Sequence, residues 1–303
     1  MEGTTAPTTQ EFEDAQVLRR SHLRLHAGDI GVWGGAILLV FVLAALFAPI
    51  LTSYDPSMGS LASRLVPPWS ASSSGFFHPL GTDTIGRDML ARILFGTRLS
   101  LFVGFTSALL ATVVGTIVGL LAGYAGGKTD KILMRITDMQ ISFPSLLLAI
   151  VVLYVIGGSI LNLILVLAIT RWVDFARIIR GEVLSLKERE FVEGARALGN
   201  RASVIIFKHI LPNVGPTIIV IGTITMARTI YSEAALSFLG LGIPPPTPTL
   251  GDMVAEGRKY LARAWWVTTF PGLAITLIVL GANLLGDWIR DRTDPTLRNR
   301  VDI

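Results

Sequence analysis

Residues 191–213 read FVEGARALGNRASVIIFKHILPN, a polar interruption set between long apolar segments. Just before and within it, Leu184, Phe191, Ala195 and Leu198 recur at spacings of seven, four and three, which predicts one apolar stripe on a helix. The opposite face is polar, with Lys187, Glu188, Glu190 and Arg196. Gly199 supplies a helix stop, because glycine adopts left-handed backbone angles at little cost. A second short helix, about Ala202 to His209, is expected to end near Pro212, with the proline placed to open the next helix. The stretch therefore predicts a compact helix–turn–helix knob joined to membrane helices. The plainer alternative is a basic loop between two spans.

The composition points the same way. The chain has 303 residues, 51% hydrophobic and 16% charged, with a mean hydropathy of +0.60. A soluble domain carries about 25% charged residues. Long uncharged apolar runs mark transmembrane helices. The formal charge of +4 is explained by basic residues in inner-face loops and calls for no nucleic acid. With no cysteine, the chain has no disulfides, thiolate metal sites or cysteine nucleophile. The apolar run from Ile30 to Leu51 exceeds a signal-peptide core and reads as an uncleaved span.

Six spans are predicted, at about 30–51, 99–123, 133–156, 160–179, 214–238 and 267–289. With the N-terminus inside, segments 1–29, 124–135, 177–212 and 290–303 face inward and hold 3, 3, 7 and 4 Lys/Arg, 17 in all. The outer segments 52–98, 157–159 and 241–266 hold 4, 0 and 3. This asymmetry puts both termini, and the Glu193 loop, inside. The chain divides into a cytoplasmic tail (1–29), a first helix with an outer segment (30–96), a five-helix core (97–289) and a second tail (290–303). The outer segment is rich in Pro, Ser and Gly early on (PPWSASSSG) and shows no strong periodicity.

Gly115, Gly119, Gly123 and Gly127 lie four apart, with Ala111 before them. Small residues at this spacing let helix backbones approach closely in lipid, so a packing seam is expected with a partner the sequence does not name. Ionisable residues in or near spans are Asp138, Arg171, Asp174, Arg228, Glu233 and Asp287. Charge in a bilayer is costly, so such groups face a protein interior, a cavity or each other. Arg228, Glu233, Asp138 and Asp174 are therefore candidates for a translocation path or for structural polar contacts. Asp83 and Asp88, in GTDTIGRD, suit an Asx turn and a helix cap. No Walker lysine loop, HExxH, nucleophile elbow or histidine cluster is present. His22, His26, His78 and His209 are scattered, and no metal site is expected.

The 191–213 stretch resembles the EAA loop of permease subunits in binding-protein-dependent ABC importers. Glu193-Gly194-Ala195, Gly199 and His209-Ile210-Leu211-Pro212-Asn213 carry that resemblance. Further stretches resemble the dipeptide/oligopeptide/nickel branch: HPLGTDTIGRDMLARILFGTRLSL (78–101), Thr137-Asp138 with Ser142-Phe143-Pro144, Ser232-Glu233 with LSFLGLGIPPPTPTLGDM (236–253), and GANLLGDWIRDRTDPTLR (281–298). Their order suits the C-type subunit over its B-type partner. Two departures are visible: Gly194 replaces the usual second alanine, and Leu250 stands where an aromatic residue is expected.

The resemblance implies an all-α polytopic membrane protein with the type I ABC importer permease fold. It implies a B-type permease partner, two cytoplasmic ABC ATPases that hold the ATP and Mg, and an extracytoplasmic solute-binding protein. It places the chain in the cytoplasmic (inner) membrane of a bacterium or archaeon. The loop's Glu193, Gly194, Ala195, Gly199, His209, Leu211 and Pro212 would couple it to the ATPases; no catalytic residue or cofactor is expected in this chain. Peptides are the expected cargo, with nickel or another solute as the alternative. An ion-coupled secondary transporter using the embedded carboxylates is a rival of another class. It predicts inverted repeats, and none is evident.

Overall fold

The computed structural model describes residues 31–72 and 75–293. The expected N-terminal tail, with Arg19, Arg20, Arg24, His22 and His26, lies outside the described residues, as does most of the 290–303 tail.

The described residues are mainly helical. Helix α1 (Gly31–Leu46) leads through a further helical turn, Ala48–Leu51, into the segment that ends at α2 (Met89–Ala125). Helices α3 (Gly127–Ile141) and α4 (Ser145–Ile156) follow, then α5 (Ile160–Leu186) and the short α6 (Glu190–Ala197). Helix α7 runs from Ala202 to Phe238, α8 from Leu250 to Gly257, and α9 from Trp266 to Thr293.

Among the described residues, α2, α7 and α9 are long and apolar enough to cross a membrane, and the bent pair α3/α4 makes a fourth if counted as one span. The six expected spans map onto helices, with differences. α1 (Gly31–Leu46) is shorter than the ~20 residues that cross a bilayer, and α5 carries Arg171, Asp174 and Arg177 along its 27 residues. α2 begins ten residues before the expected start. At 37 residues it is about 55 Å long, well beyond the ~30 Å hydrocarbon core.

The third expected span is not one helix. Its two parts meet at an 83° bend across Ser142-Phe143-Pro144. Pro144 causes it: proline disfavours helical backbone in the residue before it and has no N–H to continue the ladder. Pro212, by contrast, stops nothing. Residues 205–210 form a π-helical stretch that runs directly into Leu211, whose N–H reaches back to the Ile206 carbonyl. The wider turn makes room for the proline ring, and the Asn213 side-chain amide donates to the His209 carbonyl at 2.6 Å. The expected separate helix before Pro212 is thus the first turns of α7.

Segment 52–88 is more ordered than its composition suggests. β1 (Ser70–Ala71) and β2 (Phe77–His78) form a small antiparallel pair. The Trp266 indole N–H donates to the Thr82 carbonyl at 3.1 Å, and Thr82 Oγ1 donates to the Ser63 carbonyl. Asp83 Oδ1 accepts from the Ile85 and Arg87 N–H groups, and Asp88 caps α2 by accepting from Ala91 N–H at 2.8 Å. The expected Asx turn and cap are both present.

The small-residue seam on α2 has found its partner in α5. A Cβ on Gly115 would lie 2.3 Å from the Trp172 carbonyl oxygen; on Gly119, 2.8 Å from the Ala176 oxygen; on Gly123, 2.7 Å from Val183 Cβ. Gly127 is not part of the seam, since a Cβ there meets nothing within 4 Å.

Candidate functional site: the knob at Gly199 and the polar groups of the helix bundle

The knob forms where α5 ends at Leu186 and the chain turns through Lys187–Arg189 into α6. Glu190 and Glu193 sit in the first turn of α6, where the helix dipole favours negative charge. The C-terminus closes as a Schellman motif. Gly199 adopts φ +77°, its N–H donates to the Arg196 carbonyl at 3.0 Å, and the Asn200 N–H donates to Ala195 at 3.2 Å. Glycine is needed there for its backbone angle alone, because a Cβ would meet nothing within 4 Å.

The expected apolar stripe is out of phase. Of Leu184, Phe191, Ala195 and Leu198, only Ala195 is buried. The break at Lys187–Arg189 resets the helical phase, so Val192 and Ala195 face inward. They pack into a cluster with Leu120, Ile179, Val183, Leu186, Ile205, Ile210 and Val214, contributed by α2, α5 and α7. Phe191 (40% exposed), Leu198 (85%) and Phe207 (67%) point outward. The knob is anchored by one apolar face and presents a second one. Glu193 and Pro212 are exposed, and His209 and Leu211 are half-buried. Gly194 is exposed, with open space where a Cβ would go, so replacing the usual alanine costs this fold no packing.

The polar residues of the bundle divide into several settings. Glu233 on α7 is fully buried, accepting from Ser100 Oγ at 2.7 Å and Ser237 Oγ at 2.9 Å. It ties α7 to α2. Asp138 pairs with Arg177 at 2.7 Å, both side chains more than half exposed. Arg228 is exposed and Asp174 half-buried, and both act electrostatically on Arg171, whereas Glu233 and Asp138 are bonded elsewhere. Sequence reasoning missed three partners. Asp130 holds Arg180 in a two-pronged pair, and Gln140 accepts from the Trp172 indole at 2.9 Å. Arg92, 1% exposed, bridges Asp83 and Glu256. Asp83 is nine positions from Arg92, but the other contacts span 32 to 164 positions, beyond any local signal. Among the described residues no cluster could hold a metal ion.

Residues 115–299 match the family of binding-protein-dependent transport system inner membrane components. Residues 19–68 match the N-terminal transmembrane domain of oligopeptide transport permease C. The chain is 39% identical to the dipeptide transport system permease protein DppC of Alkalihalophilus pseudofirmus, over 98% of this chain and 96% of that one. It is 38% identical to the oligopeptide transport system permease protein OppC of Bacillus subtilis, over 91% and 88%. The glutathione transport system permease protein GsiD of Pectobacterium atrosepticum is 41% identical, over 92% and 90%. In fold it resembles a chain of the inward-facing MetNI methionine ABC transporter, with a TM-score of 0.56 and 21% identity, covering 68% of this chain and 98% of that one. The family match over residues 115–299 and the identity to these relatives along most of its length show that the chain belongs to the binding-protein-dependent transport system inner membrane components, in the branch of C-type dipeptide and oligopeptide permeases.

Proposed function

We propose that this chain is one half of the translocation path of an ATP-driven importer of di- or oligopeptides. It crosses the inner membrane six times with both termini cytoplasmic, paired with a B-type permease. Two ATPases carry the ATP and Mg, one of them docking on this chain's cytoplasmic knob, and a solute-binding protein delivers cargo to the opposite face. The peptide reading rests on the named relatives, which transport dipeptides, oligopeptides or glutathione.

The observation that carries the coupling role is the pair of apolar faces on α6. Val192 and Ala195 fix the knob to the bundle, while Phe191 and Leu198 stay exposed beside a rigid Gly199 turn. An exposed apolar surface on a rigid support suits a partner's groove. ATP binding would close the ATPases, pull the knob and shift the bundle between two states.

Gly199→Val puts a β-branched side chain at φ +77°, a strain of about 1–3 kcal/mol. Because space around Gly199 is open, the effect comes from backbone angle and not from a clash. Transport and substrate-stimulated ATP hydrolysis are expected to fall together in reconstituted complexes while the permease still inserts. Full coupling in this variant would remove the knob from the mechanism.

Orientation has its own test. Asn200 and Thr247 are both exposed in a chain without cysteine. A single cysteine at 247 is expected to react with an impermeant reagent in intact cells, and one at 200 only after the membrane is opened. The reverse pattern would invert the topology.

A further inference from the structure

At the bend between α3 and α4 lies a cavity of about 220 Å³, lined by Gln140, Phe143, Ser145, Thr170, Arg171 and Asp174. It sits near the middle of α5: Arg171 is the twelfth of that helix's 27 residues, about 16 Å from one end. Arg171 and Asp174 are three residues apart, so both project on the same side of the helix.

Their bonding sets them apart from the other charged pairs of the bundle. Asp138 closes on Arg177 and Asp130 on Arg180. Arg171 and Asp174 do not close on each other. Arg171 gives one Nη2 hydrogen bond to Ser232 Oγ at 2.9 Å, and its Nε is buried with no partner. Asp174 makes no hydrogen bond or ion pair among the described residues, although its charge acts on Arg171, as does that of Arg228 on α7. Unpaired charges inside a bundle of apolar helices are costly, so they mark a site that a ligand completes. A cation and an anion held apart beside one cavity match a molecule bearing both a carboxylate and an ammonium. That is the chemistry of a short peptide with free termini.

We propose that Arg171 and Asp174 form a transit site within the path for zwitterionic peptides, Arg171 taking the carboxylate and Asp174 the ammonium. The guanidinium offers the planar donor pair that suits a carboxylate. This rests on the peptide-import reading above and assigns residues to it.

The test uses the whole complex, with its receptor and ATPases, in proteoliposomes. Uptake of an alanine dipeptide is compared with its C-amidated and N-acetylated forms, each normalised to receptor occupancy measured by calorimetry. The wild-type complex is expected to prefer the free dipeptide. Arg171→Gln is expected to reduce the preference over the C-amidated form by about tenfold, while receptor-stimulated ATP hydrolysis continues. Arg171→Lys is expected to restore part of it. Asp174→Asn is expected to act in the same way on the N-acetylated form. Ser232→Ala removes the pin to α7 but keeps the charge, and is expected to leave both preferences in place. Unchanged preferences in Arg171→Gln and Asp174→Asn would overturn the inference, as would joint loss of uptake and hydrolysis in Arg171→Gln and Ser232→Ala, which is the mark of a structural pin. If the wild-type complex imports none of the three compounds, the peptide reading itself fails, and this assignment with it.

Discussion

Arg92→Ala is expected to destabilise the chain by about 3 kcal/mol, the low end of what breaking a buried ion pair costs. The Arg92 guanidinium is 1% exposed and donates to Asp83 Oδ2 at 2.5 Å and to Glu256 Oε2 at 2.9 Å. It therefore joins three pieces of the fold: the first turn of α2, the turn at 81–88 and helix α8. Removing it leaves the fully buried Asp83 carboxylate short of a charge partner. The loss is not total, because Arg87 Nε and two backbone N–H groups still serve Asp83, which is why the low end applies. The exposed Arg98, six residues further along α2, is the control. It makes no hydrogen bond or ion pair among the described residues, and Arg98→Ala is expected to change stability by less than about 0.5 kcal/mol. Thermal unfolding of the purified chain in detergent reads both. Equal midpoints for the two variants would show that the buried network does not hold the 81–88 turn and α8 to α2.

That network shows where sequence reading stops. Asp83 and Asp88 were legible because each answers N–H groups two to four residues away, a range that local chemistry fixes. Gly199 was legible for the same reason: its φ belongs to the turn itself. Arg92 and Glu256 are 164 positions apart, and nothing in segment 52–98 announces that it folds against α8 and α9. Two errors had local causes that were readable. Pro144 breaks the third apolar run, and the break at Lys187–Arg189 moves Val192 into the position that Phe191 was expected to fill. Pro212 misled in the other direction. A proline stops an α-helix at the preceding turn, but the π-helical stretch at 205–210 lets α7 pass through it. In the bundle, Glu233 and Asp174 look alike in sequence. Only packing separates a carboxylate closed by two serines from one left open beside a cavity.

The glycine seam was half legible: the stripe could be read, but its partner could not, because any helix with a flat face would serve. With α5 as the partner, Gly115 becomes the most restrictive position of the stripe. A Cβ there would stand 2.3 Å from the Trp172 carbonyl oxygen and 2.5 Å from Phe175 Cβ. The first obstacle is backbone and the second is the root of a fully buried side chain, so neither can swing aside. Gly115→Ala must then move α2 and α5 apart, at a cost of about 1–3 kcal/mol for an overpacked contact. Gly115→Leu is expected to prevent stable packing altogether, with loss of folded chain from detergent extracts. Gly126→Ala and Gly181→Ala separate this effect from the general penalty of altering a membrane-chain glycine. A Cβ at either meets nothing within 4 Å, but Gly126 has φ +62° and carries backbone strain of its own. Gly181, on α5 with ordinary helical φ, is therefore the cleaner control. Fluorescence-detected size exclusion after a heating series gives the midpoint for each variant. The seam requires Gly115→Leu to fall furthest, Gly115→Ala to fall clearly, and Gly181→Ala to match the parent chain or exceed it, since alanine is the better helix former. A Gly115→Leu chain that elutes and melts like the parent would mean that α2 and α5 do not meet along this stripe.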